Sequence, residues 1–99
     1  MSTGIVGVYS FELLLPESRS LKDKRMVVRS VKAQLQNRVA CSIAEVDHHD
    51  TWQRARLTLA FVTREHKELA RLLDDAERYL GGQEWELGPV DRSVVRPDD

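Results

Sequence analysis

At 99 residues the chain has material for one hydrophobic core and leaves none for a second. Its 41% hydrophobic and 31% charged residues are ordinary for a soluble globular protein, and no apolar run approaches the roughly 20 residues that span a bilayer. The formal charge of −1 conceals two opposed regions: residues 19–38 hold seven bases and one acid, a net +6, whereas residues 65–99 hold ten acids and five bases, a net −5.

The first segment, MSTGIVGVYSFELLL, lacks a positive leader and carries Glu12 inside its apolar run. It is a poor secretory signal and a better strand, so a cytoplasmic location is the expectation. The strand covers residues 4–15, with Tyr9, Phe11, Leu13 and Leu15 on one face, and Pro16 stops it. Ser18 or Ser20 can cap a helix running to about Arg38, in which Leu21, Val28, Val31, Leu35 and Val39 form the apolar stripe. Beside that stripe run Lys22, Arg25, Arg29, Lys32 and Gln36. Lys24 falls inside the apolar arc, so its ammonium must snorkel out or find an acidic partner.

Residues 39–47 alternate weakly, with Val39, Cys41 and Ile43 on one face; residues 53–63 alternate clearly through Ala55, Leu57, Leu59 and Phe61. Thr63 can cap a second helix from about Arg64 to Leu80, ended by Gly81-Gly82. Trp85, Leu87, Val90, Val94 and Val95 suggest a last strand, interrupted or bulged at Gly88-Pro89. The order β-α-β-β-α-β predicts a ferredoxin-like α+β sandwich, a four-stranded antiparallel sheet with both helices on one face. One domain over residues 1–95 is expected, followed by a polar tail, residues 96–99, that frays.

The segment EVDHHDTWQRA joins the two middle strands. Successive strand side chains point to opposite faces, so His48 and His49 cannot share a metal unless the turn rotates them together, and contiguous ligands are unlike the separated pairs of structural zinc sites. His49 beside Asp50 has the residue types for acid–base chemistry, but no nucleophile accompanies them: Cys41 sits in an apolar stretch and no Ser elbow exists. The glycines form neither a phosphate loop nor a dinucleotide fingerprint. The expectation is a protein without enzymatic activity, metal or cofactor. Trp52 either closes the end of the core or anchors a partner.

Nucleic acid is the more physical ligand, because Arg19, Lys22, Lys24, Arg25, Arg29 and Lys32 can neutralise phosphates and release counterions. The competing reading is a solvated face balanced by an acidic second helix carrying Glu65, Glu68, Asp74, Asp75 and Glu77. Base stacking on the sheet is not expected, since strand three offers only Phe61. The face left uncovered by helices, with Val6, Val8, Ala60 and Val62, invites homo-oligomer formation.

Two stretches, PESRSLKDKR (16–25) and AEVDHHDTWQRA (44–55), resemble motifs of the YlxP-like family of small bacterial proteins of unknown function, and the resemblance runs from about Ile5 to Leu80. It implies a ferredoxin-like fold and a gene setting among translation and ribosome-maturation factors, notably ribosome-binding factor A, with no established activity. The matching positions are Ser20, Leu21, Lys22, Lys24 and Arg25 in the first motif, and Glu45, Asp50, Trp52, Gln53 and Arg54 in the second. The combined expectation is an RNA- or ribosome-associated factor whose partner is ribosomal RNA or a ribosomal subunit, with a protein-interaction or homo-oligomeric scaffold without nucleic-acid binding as the alternative and a metal-dependent hydrolase at the hairpin tip as a third, less favoured reading.

Overall fold

Side-chain alternation on the first strand decides which side of the sheet is covered. In the computed structural model, which describes residues 3–98, Ile5, Tyr9, Phe11 and Leu13 are buried on one face of β1 (Ile5–Leu14), while Val6, Val8 and Ser10 stay partly open on the other. The remaining elements are α1 (Leu21–Val39), β2 (Ser42–Asp47), β3 (Arg54–Thr63), α2 (His66–Gly81) and β4 (Glu86–Val95). The sheet order is β2-β3-β1-β4, antiparallel throughout, so the predicted ferredoxin-like α+β architecture is the one observed. Tyr9, Phe11, Leu35, Leu57, Leu59 and Leu80 are almost wholly buried between sheet and helices, and truncating any such leucine or phenylalanine to alanine costs about 2–5 kcal/mol. Gly7 makes room for this packing: a Cβ there would lie 2.6 Å from Cζ of Phe61.

Local chemistry sets the element ends, and some differ from the sequence reading. Ser20 is the cap of α1: its Oγ accepts from the Asp23 N–H at 3.0 Å while the Asp23 carboxylate accepts from the Arg19 N–H at 3.0 Å. Ser18 is buried instead, its hydroxyl donating to the Ser20 carbonyl. Val39 belongs to α1 and not to a strand, because the helix closes only at Ala40, in the left-handed region at φ 53°, whose N–H reaches the Gln36 carbonyl. The second strand therefore begins at Ser42, and Cys41, on the apolar face of the expected strand, is half-buried in the connection.

Helix α2 starts at His66 rather than Arg64. Its cap position is Glu65, without a side-chain cap bond, and Thr63 ends β3, where its hydroxyl meets the Glu65 N–H at 3.5 Å. The expected interruption at Gly88-Pro89 is a bulge: the β1–β4 register shifts between Phe11 and Leu13, and the strand continues to Val95. Pro89 has no N–H for a ladder bond, so the irregularity falls where it lies. In the polar tail, Asp98 accepts from the Thr3 N–H, and Asp99 lies outside the described residues, as do Met1 and Ser2.

Candidate functional site

Lys24 arrives in the core by helical periodicity and is 1% exposed, so its ammonium must be satisfied internally. It donates to the carbonyls of His48 at 2.5 Å and Thr51 at 2.8 Å, and lies 2.8 Å from Glu45 Oε2. The Glu45 contact is an ion pair without hydrogen-bond alignment: among the described residues that oxygen makes no hydrogen bond. Of the two fates open to this lysine, the structure takes the acidic partner. Burial also removes Lys24 from the set of candidate phosphate contacts: an ammonium closed off by a hairpin cannot meet a phosphate.

The hairpin tip is held from the other sheet face as well. His48 adopts φ 64°, a conformation that costs a non-glycine residue on the order of 1 kcal/mol, and its N–H, its carbonyl and its Nε2 are each engaged. Its N–H donates to Asp47 Oδ1 at 2.7 Å and its carbonyl accepts from both Lys24 and the Thr51 N–H. Its Nε2 lies 3.1 Å from Glu12 Oε1. Glu12, buried on the side of the sheet away from the helices, also accepts from Arg54 Nη2 at 2.9 Å, with Arg56 at 3.8 Å. The Arg54 hydrogen bond holds the Glu12 carboxyl below its usual range, against the opposing effect of burial and with help from His48.

Gln53 completes the corner. Its side-chain amide donates to the carbonyls of Pro16 and Ser18, each at 3.3 Å, and its own carbonyl accepts from the Leu15 N–H at 2.9 Å. The two sequence motifs therefore meet: the β1–α1 loop and the β2–β3 hairpin form one surface. His49 turns away from His48, its ring to the Glu45 carbonyl, and among the described residues no three His, Cys, Asp or Glu side chains gather as a metal set. Trp52 is 50% exposed at the tip, so it does not close the core, and Asp50 is exposed beside it. Burial pushes the Cys41 thiol up, away from the reactive thiolate.

Of the other basic candidates, Arg19, Lys22, Arg25 and Arg29 are exposed and Lys32 is half-buried. Arg25, Arg29 and Lys32 line a shallow groove with Val28, Ala33 and Gln36. Among the described residues, no acid lies within ion-pair distance of Lys22, Arg25, Arg29 or Lys32. The acids of α2 are engaged elsewhere: Glu68 and Asp75 with Arg71, Asp75 also with Arg78, and Asp74 and Glu77 with Arg92 of β4. The opposite flank of α1 faces α2, where Arg38 stacks over the Tyr79 ring at 5.0 Å.

Sequence reasoning missed Glu12 and Arg56 as members of the hairpin cluster. The signal was present in Glu12, a lone carboxylate on the same strand face as Val6 and Val8.

Element order, sheet topology and a hairpin locked by charge define this as a ferredoxin-like α+β protein with a built corner at one end of the sheet. Residues 6–91 match the model of the family described as "Protein of unknown function (DUF503)", and the chain belongs to that family. The uncharacterized protein YlxP of Bacillus subtilis (strain 168) is 32% identical, covering 82% of this chain and 99% of the relative. Among solved structures, the de novo designed protein Ferredog-Diesel superposes with a TM-score of 0.47 at 14% identity, covering 92% of this chain and 88% of the design. A putative antibiotic biosynthesis monooxygenase from Bacillus cereus gives 0.43 at 12% identity, covering 96% and 93% of the two chains.

Two outcomes follow from this geometry. Lys24→Met strands Glu45 and two carbonyls and should lower unfolding free energy by about 3–5 kcal/mol, whereas Lys22→Met on the exposed flank should stay within about 0.5 kcal/mol; urea titration of both variants measures the contrast. Glu12 titrates lower in the folded than in the unfolded chain, so its contribution is present above the ordinary value of 4.5 and is lost as pH falls through the folded value. Stability measured from about pH 5 downward should therefore decline less steeply in Glu12→Gln than in the parent chain.

Proposed function

We propose that this protein is a non-enzymatic cytoplasmic factor that binds RNA, in the setting of the ribosome, through the flank of α1. The observation that carries the reading is the row of Lys22, Arg25, Arg29 and Lys32, left without acidic partners among the described residues although α2 carries four acids. Residues three or four apart on a helix have Cβ atoms about 5–6 Å from one another, so the row offers successive cations to a phosphate backbone. The groove between them is shallow and the uncovered faces of β1 and β3 present no aromatic ring, so contact is with backbone phosphate and not with stacked bases. The hairpin corner, with Trp52, His49 and Asp50 exposed, supplies shape or partner contacts beside it.

Co-sedimentation with ribosomal subunits over a salt series tests this. Four phosphate contacts give a slope of log K against log salt of about −3 to −4, and the variant Lys22→Glu/Arg25→Glu/Arg29→Glu should not sediment with subunits at any salt. Absence of association at low salt, or association unchanged in the variant, would refute the reading.

A second reading rests on Val62, 70% exposed, and Val95, 49% exposed, which with Val6, Val8 and Ala60 make one end of the uncovered sheet face apolar. It is a homodimer by sheet packing, without nucleic acid. Light scattering that gives twice 11.4 kDa, reduced to 11.4 kDa by Val62→Lys, supports it; a strict monomer at all concentrations excludes it.

A further inference from the structure

Helix α1 separates two unlike surfaces. On the flank opposite its basic row, the β1–α1 loop and the segment leading into β4 enclose a cleft of about 250 Å³. Leu15, Val27 and Trp85 form its apolar wall, and Glu17, Asp23 and Glu84 stand on it. None of the residues lining it is basic. Leu15 is buried and Val27 and Trp85 are half-buried, so the wall is part of the folded core and not a loose surface.

Size and charge together select an occupant. Ligand pockets for whole small molecules run from roughly 300 to 1,000 Å³, so this cleft suits a single side chain. An apolar wall below carboxylates asks for a group with an apolar stem and a cationic end, which among protein side chains means arginine or lysine. Asp23 already accepts from the Arg19 N–H, whereas Glu17 and Glu84 form no ion pair among the described residues, so two carboxylates remain for an incoming cation. Trp85 adds an aromatic surface, on which guanidinium groups rest favourably.

We propose that this cleft is a docking site for an arginine or lysine side chain presented by an extended basic segment of a partner protein. The site is independent of the RNA reading, because it lies on the other flank of α1 and selects the opposite charge.

The chain has two tryptophans, so the full-length Trp52→Phe variant reports on Trp85 alone. An eight-residue peptide of alternating arginine and leucine should change Trp85 emission saturably, and the methyl resonances of Val27 should shift in the same titration. The alternating glutamate–leucine peptide should leave both unchanged. Glu17→Gln/Glu84→Gln, both on exposed side chains, should weaken binding at least tenfold, while Arg25→Glu/Arg29→Glu should not weaken it. No saturable change, an equal response to the acidic peptide, or undiminished binding in the glutamine variant would overturn the proposal. So would displacement of the peptide by equimolar spermidine, which would assign the cleft to a small polycation.

Discussion

The ammonium of Lys24 is the interaction on which the hairpin end of this molecule depends. It leaves a helix, crosses the edge of the core and terminates on two hairpin carbonyls and a strand carboxylate. In other proteins, replacing both members of a buried ion pair by well-packed apolar residues is often neutral or stabilising, whereas removing one member alone leaves an uncompensated charge and is costly. An apolar pair would not fix the direction of two carbonyls. The lysine thus ties the tip conformation to the position of α1, and His48, held in a left-handed backbone by its own bonds to Glu12 and Asp47, can persist only inside that frame.

Both sheet faces contribute to the same corner. Glu45 points toward the helices and meets Lys24, while Glu12 and Arg54 lie on the uncovered face and meet each other. Antiparallel register brings them to one end, because Leu14 pairs with Arg54 and the Gln53 carbonyl takes the next N–H, that of Leu15. The hairpin is consequently fixed by charge pairs and loop hydrogen bonds where a longer sheet would use further strand pairing.

Much of the fold was legible because its periods are clean: β3 alternates without exception, and the apolar stripe of α1 passes through Val28, Val31 and Leu35. Helical period also marked Lys24 as a charge inside an apolar arc, which already required a partner or an escape. What the sequence did not display was the partner's location, since Glu45 and the hairpin carbonyls are some 21 residues and more away and join it only through tertiary register. The same reason hid Glu12, whose meaning comes from Arg54 and His48 across the sheet. The left-handed residues Ala40 and His48 were illegible in a different way: neither is glycine, so no residue type announced the turn, and the strand after α1 was placed too early.

Net charge describes this molecule poorly, and α1 shows why. A helix with side chains is about 10 Å across, more than the Debye length of about 8 Å at physiological salt. The cations on one flank of α1 and the carboxylates beyond the other, Glu17 in the β1–α1 loop and Glu84 ahead of β4, are exposed on opposite sides of the helix, so salt in the surrounding solvent largely screens one set from the other. Two oppositely charged macromolecules could occupy the two flanks at once, each meeting a local field that a near-neutral total conceals, with the helix serving as the spacer between them.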